Sequence, residues 1–135
     1  VLGHAFIKAL SSAGAKVGVL GRNEVVANES VKEIEKNGGM AIALIADVQD
    51  ESSLKACCEI IIKAYGKIDG LVNAAGGNVP EAVLQPGDDL FSMNIHGMKK
   101  AMDVNLWGTV LPTLIFGKRI AENGGGSIVN ISSVS

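Results

Sequence analysis

The sequence is short of several things, and each shortage narrows what the chain can be. Its only cysteines, Cys57 and Cys58, are adjacent in a stretch that reads as helix. Neighbouring helical positions point in different directions, so a structural disulfide is not expected and a reduced, cytoplasmic setting is the simpler reading. No apolar run approaches the roughly 18 residues of a membrane span. No signal peptide is visible, although the sequence opens on Val1 rather than Met. Charge is scarce: 19% of residues are charged and the net charge is −2, which gives no footing for nucleic acid or an anionic membrane. No set of His, Cys, Asp and Glu has metal-ligand spacing, so no metal is expected. Three prolines stand against seventeen glycines. That ratio suggests tight turns and close backbone approaches rather than a flexible chain.

What is present reads as one packed domain over residues 1–135, with 47% hydrophobic residues to fill a core. Two hydrophobic periods alternate along it. Residues 4–13 have helical spacing and stop at Gly14. Lys16 to Leu20 is a buried-strand run, and residues 24–37 form an amphipathic helix with Val25, Val26 and Ile34 on its apolar side. Residues 40–46 form the next strand. Asp50 or Ser52 can cap a helix running to Tyr65 before Gly66. Residues 68–72 are a third strand, and 76–96 are mixed. Residues 99–121 form a long apolar helix with Met102, Leu106, Val110, Leu114 and Ile115 on its core side. Residues 127–131 form the fourth strand. This alternation predicts an α/β fold, a Rossmann-type doubly wound parallel sheet. A helix at Gly3 should follow a strand, so the expectation is a sheet lacking its first strand and its C-terminal part.

The chemistry collects at the carboxyl ends of these strands, where ligands bind in open α/β sheets. Gly3, at the mouth of the first helix, fits the last glycine of a dinucleotide fingerprint, where it allows tight helix–strand packing; plain capping is the alternative. The second strand of such a fold ends here at Gly21, Arg22 and Asn23, with no acidic residue. An acid there bonds a ribose 2′-hydroxyl, whereas an arginine accommodates a 2′-phosphate, so NADP(H) is favoured, with NAD(H) as the alternative. Arg22 could also simply solvate a helix start. Asp47 and Val48 end the next strand, and Asn73, Ala74, Ala75 and Gly76 the one after. Small residues there let backbone approach a ligand closely.

The array of Gly3, Asp47-Val48, Asn73-Ala74-Ala75-Gly76, Asp103-Val104-Asn105 and residues 126–133 (GSIVNISS) resembles the short-chain dehydrogenase/reductase family over essentially the whole chain. The resemblance implies that Asn73–Gly76 stabilises the central sheet and lines the cofactor, and that Asp47 faces adenine with Val48 beside it. It implies that Ser133 is the catalytic serine that binds and polarises the substrate oxygen. Asn105 would then be the helix asparagine that supports a water and lysine proton relay. Strand-end turn formation is the alternative for Ser133, and a buried, satisfied polar role for Asn105. The family's tyrosine–lysine pair (YxxxK) is missing: Tyr65 is the sole tyrosine and lies in the wrong place. Counting back from Gly3 puts Val1 where the family has its middle fingerprint glycine, which implies a variant phosphate loop or a one-residue difference upstream.

The stretch from Gly77 into the following helix resembles family members that act as D-mannonate or fructuronate oxidoreductases, so a sugar-acid-like substrate is implied, with Asn78 as a candidate contact. His4 and His96 read as surface residues. The expected parent is thus a cytoplasmic oxidoreductase of carbohydrate metabolism, a homo-oligomer (dimer or tetramer), moving a hydride between nicotinamide and a carbonyl or alcohol. The segment alone is expected to be inactive and to split into two half-sheets with exposed edges. A non-catalytic nucleotide-binding or interaction module of the same fold is the other reading.

Overall fold

Strand and helix signals alternate in the structure much as they do in the sequence. A computed structural model describes residues 2–133. Val1, Val134 and Ser135 lie outside the described residues. The order is α1 (Leu2–Ser12), β1 (Lys16–Gly21), α2 (Glu24–Lys36), β2 (Met40–Ile45), α3 (Glu51–Tyr65), β3 (Gly70–Asn73), α4 (Ile95–Met102), α5 (Gly108–Glu122) and β4 (Ser127–Asn130). Single 3-10 turns at Pro80–Ala82 and Leu90–Ser92 lie between β3 and α4, and a π-helical turn at Asp103–Trp107 joins α4 to α5.

The strands form two parallel two-stranded sheets, β1 with β2 and β3 with β4. Val17 faces Ala41 and Leu20 faces Leu44 in the first; Asn73 faces Asn130 in the second. Side chains alternate across the first sheet, which places α1 and α2 on one face of it and α3 on the other. Val17, Val19 and Ala41 pack with Ile7 of α1 and with Val31 and Ile34 of α2. Leu20, Ile42 and Leu44 face the other way, into a core with Leu54 and Cys58 of α3 and Phe116 and Ile120 of α5. Leu71 of β3 packs on that same core. Leu54 is fully buried, so truncating it to alanine costs about 2–5 kcal/mol.

Local chemistry ends the helices as expected. Asp50 rather than Ser52 caps α3, accepting from the Ser52 N–H. Gly66 closes it at φ 84°, a left-handed conformation that suits glycine. Cys57 and Cys58 are both buried free thiols, and burial raises the pKa of each.

Three expectations need correction. The apolar side of α2 is Ala27 and Ile34 with buried Ser30, whereas Val25 and Val26 are exposed. Those valines lie in the first turn, and the helix buries the stripe that carries Ala27, Ser30 and Ile34 instead. The third strand starts at Gly70 rather than at residue 68, and Ile68 is buried as a core residue before it. The long helix begins at Ile95 and is interrupted, and its core stripe is Gly108, Pro112, Phe116 and Ile120. Met102, Leu106 and Leu114 are exposed, while Val110 and Ile115 are half-buried. A π turn carries one extra residue, which rotates the faces on either side of it by about 100° relative to one another. Pro112 lies within α5 and has no N–H for the preceding turn.

Candidate functional site

The carboxyl ends of β1, β2 and β3 converge on one recess of about 240 Å³. Its walls come from Gly21 and Arg22, residues 46–49, residues 74–76, and Val104 of the π turn. Half of these are glycine or alanine, a surface that a flat ring can approach closely. The Ala46 N–H donates to the Gly21 carbonyl at 3.1 Å, holding the two strand ends together at the rim. Asp47 then turns the chain: its Oδ1 accepts from the Gln49 N–H at 3.0 Å. Val48 packs on the start of α5, where a Cβ at Gly108 would stand 3.0 Å from Val48 Cγ2.

Arg22 reaches across this rim, with Nη1 3.7 Å from Asp47 Oδ2. Asn23 does something else. Its side chain caps α2, accepting from the Val26 N–H at 3.1 Å. Its acceptor is thus used by the helix. A second recess of about 290 Å³ opens on the α2 side of β1, between Val19, Arg22, Asn23 and Val26.

Asn73 is 5% exposed and is not among the residues that line the recess. Its Nδ2 donates to Thr113 Oγ1 at 2.9 Å and to Asn130 Oδ1 at 2.8 Å. Thr113 Oγ1 in turn donates to the Thr109 carbonyl at 2.8 Å. Asn73 therefore ties β3 to β4 and α5, while its neighbours Ala74, Ala75 and Gly76 form the wall.

Asn105 sits in the π turn. Its Nδ2 donates to the Ala101 carbonyl at 2.9 Å and to the Gly77 carbonyl at 3.0 Å, and its Oδ1 accepts from the Gly77 N–H at 2.9 Å. A side chain inserted into the helical ladder is a recognised cause of such a break. At Gly76 a Cβ would come within 2.7 Å of Asn105 Oδ1, so the close approach requires glycine. Both amide hydrogens of Asn105 are committed to backbone partners. Asn105 thereby fixes the Gly77 backbone just past the wall of the recess.

The remaining candidates do not line the recess. Gly3 lies in the first turn of α1, and a Cβ there would meet nothing within 4 Å. Among the described residues, then, no close helix–strand packing calls for glycine. Asn78 is exposed in the loop after Gly77. Ser133 is exposed three residues past β4, on the carboxyl side of the strands. His4 pairs with Glu33, and His96 is exposed in the first turn of α4. Among the described residues no group of three or more His, Cys, Asp and Glu could hold a metal, and no helix is long and apolar enough to cross a membrane.

Sequence reasoning missed Thr113 and Gly77, the partners that give Asn73 and Asn105 their roles. A trace was visible: Asn105, Thr109 and Thr113 recur every four residues through an otherwise apolar helix. It also missed the Lys100–Glu81 pair, at 3.0 Å, which fastens the long loop to α4.

A parallel α/β unit whose recess lies at the strand carboxyl ends is the architecture of a dinucleotide-binding domain. The whole chain, residues 1–135, matches the short chain dehydrogenase family. It is 35% identical over its full length to the oxidoreductase UxuB of Bacillus subtilis, of which it covers 51%. It is 33% identical over 93% of its length to the 7alpha-hydroxysteroid dehydrogenase of Escherichia coli, of which it covers 46%. A structure described as a D-mannonate oxidoreductase from Haemophilus influenza, with bound NAD, superposes with a TM-score of 0.85. That likeness, at 30% identity, covers 98% of this chain and 51% of the other. The chain belongs to the short-chain dehydrogenase family. It spans about half the length of the curated relatives it matches.

Proposed function

We propose that the protein is an NADP(H)-preferring oxidoreductase that moves a hydride between nicotinamide and the carbonyl or alcohol carbon of a sugar-acid-like substrate. The observation that carries this reading is the recess itself, floored by strand ends and walled by residues 74–76. Its backbone-rich walls and the glycine forced at position 76 fit the adenosine half of a dinucleotide. Arg22, Asp47, Val48 and the Ala74–Gly76 wall would hold it, and Arg22 supports a 2′-phosphate. Gly3 and Asn23 would lie at the phosphate and ribose side. The likeness to a protein with bound NAD supports a nicotinamide dinucleotide and is silent on the 2′-phosphate.

When bound, the dinucleotide supplies the hydride chemistry. The chain's own part is positioning. Ser133 would donate its hydroxyl proton as a hydrogen bond to the substrate oxygen and polarise it. Asn105 holds the Gly77 backbone, and Asn78 beyond it would meet the polar substrate. The D-mannonate oxidoreductase likeness supports the sugar-acid class. Exposed Leu106, Trp107 and Leu114 support a homo-oligomer, and residues 1–135 are read as a single dinucleotide-binding domain of a cytoplasmic protein.

The test follows NADPH absorbance with a panel of hexuronates and the full-length protein. Turnover is expected, and Ser133→Ala should lower kcat/KM by on the order of a hundredfold or more. Absence of turnover with every carbonyl substrate overturns the reading. Dinucleotide binding without turnover would instead favour a non-catalytic nucleotide-binding module.

A further inference from the structure

Arg22 borders both recesses, the one shared with Asp47 and the one on the α2 side of β1. Its side chain is 77% exposed, and its pairing partner is Asp47, with Nη1 3.7 Å from Oδ2. Asp47 is better anchored. Its side chain is 37% exposed, and its other oxygen accepts from the Gln49 N–H. A fixed carboxylate thus holds a long, exposed cation through one loose, monodentate contact.

We propose that Asp47 is a specificity-determining residue that competes with a ribose 2′-phosphate for Arg22. The preference between phosphorylated and unphosphorylated dinucleotide would then be a balance between two anions rather than a property of Arg22 alone. This rests on the reading of the recess as a dinucleotide site. A phosphate monoester carries about −1.5 to −2 charges at neutral pH and takes a guanidinium through two parallel hydrogen bonds. It outcompetes a single carboxylate held at 3.7 Å. The unphosphorylated dinucleotide leaves the pair intact and forgoes nothing. Asp47 therefore narrows the preference for the 2′-phosphate without reversing it.

The experiment is calorimetric titration of NADP+ and NAD+ into the full-length protein, without substrate or turnover. Its readout is the ratio of the NAD+ dissociation constant to that of NADP+. Asp47→Asn should raise this ratio by about two- to fivefold, the scale of an exposed ion pair. Asparagine keeps an oxygen for the Gln49 N–H, and any change in adenine affinity cancels in the ratio. Asp47→Ser, which also suits a turn, should give the same rise and serves if the first variant is unstable. Arg22→Gln should bring the ratio towards one, and adding Asp47→Asn to it should change nothing further. An unchanged or lowered ratio in both Asp47 variants, with Arg22→Gln still lowering it, overturns the competition and leaves the cofactor reading standing. An unchanged ratio in Arg22→Gln overturns both.

Discussion

The Asn105 amide closes on the Gly77 backbone from both sides, its Oδ1 accepting the N–H at 2.9 Å and its Nδ2 donating to the carbonyl at 3.0 Å. One side chain thereby completes the hydrogen bonding of a loop residue that belongs to no strand or helix. It also joins the loop that follows the wall of the recess to the π turn.

Asn105→Ala removes that clamp and should cost about 1–3 kcal/mol, the net of two or three hydrogen bonds. Asn105→Asp keeps the acceptor but turns a second oxygen towards the Gly77 and Ala101 carbonyls. It should be the more destabilising at neutral pH and approach the alanine variant in acid, where the protonated carboxyl can donate. Denaturant unfolding measures the cost, and hydrogen exchange at the Gly77 amide locates it. Unchanged protection of that amide in both variants would refute the clamp.

Asn73 makes a different prediction, because it is buried and its partners sit on two other elements. Asn73→Ala should destabilise by about 1–3 kcal/mol, since buried Asn73 loses two hydrogen bonds, to Thr113 Oγ1 and Asn130 Oδ1. Thr113→Val should be partly redundant with it. A double-mutant cycle is expected to show coupling of at least about 0.5 kcal/mol. Strict additivity would mean that the Asn73–Thr113 hydrogen bond contributes nothing.

The contact between α1 and α2 predicts a dependence on pH. Lys8 Nζ lies 2.5 Å from one oxygen of Glu33, and His4 Nε2 lies 3.1 Å from the other. The hydrogen bond from Lys8, with its charge, holds the Glu33 carboxyl below the usual carboxylate range. A depressed folded-state pKa stabilises above the unfolded value and is lost as pH falls through the folded one. The Tm of the wild-type protein should exceed that of Glu33→Gln at neutral pH. The gap should close as pH drops below about 4.3, and it should shrink in high salt. A gap that does not vary between neutral and acid pH would sink this assignment.

Much of the fold was legible because its signals are local. The change from a period of 3.6 to one of 2 marks each helix and strand within a few residues, and Asp50 and Gly66 declare the ends of α3 through their own backbone chemistry. The strand-end residues were legible for the same reason: Gly21-Arg22, Asp47-Val48 and Ala74–Gly76 follow directly on apolar runs. The faces of α2 and of the long helix were not. Which stripe is buried depends on where neighbouring helices stop and on the extra residue in the π turn, and neither is written in hydrophobicity.

By itself, then, the sequence determined the alternation of elements, the family resemblance, and the set of residues delivered to the ligand side of the strands. Only the tertiary structure divided that set. It turned Asn73 inward to Thr113 and Asn130, partners 40 and 57 residues away. It closed Asn105 on Gly77 across 28 residues and set Arg22 against Asp47. Element type follows from short-range backbone preference and hydrophobic period. The partner a polar side chain meets follows from how the finished elements pack, and that is decided only when the chain closes on itself.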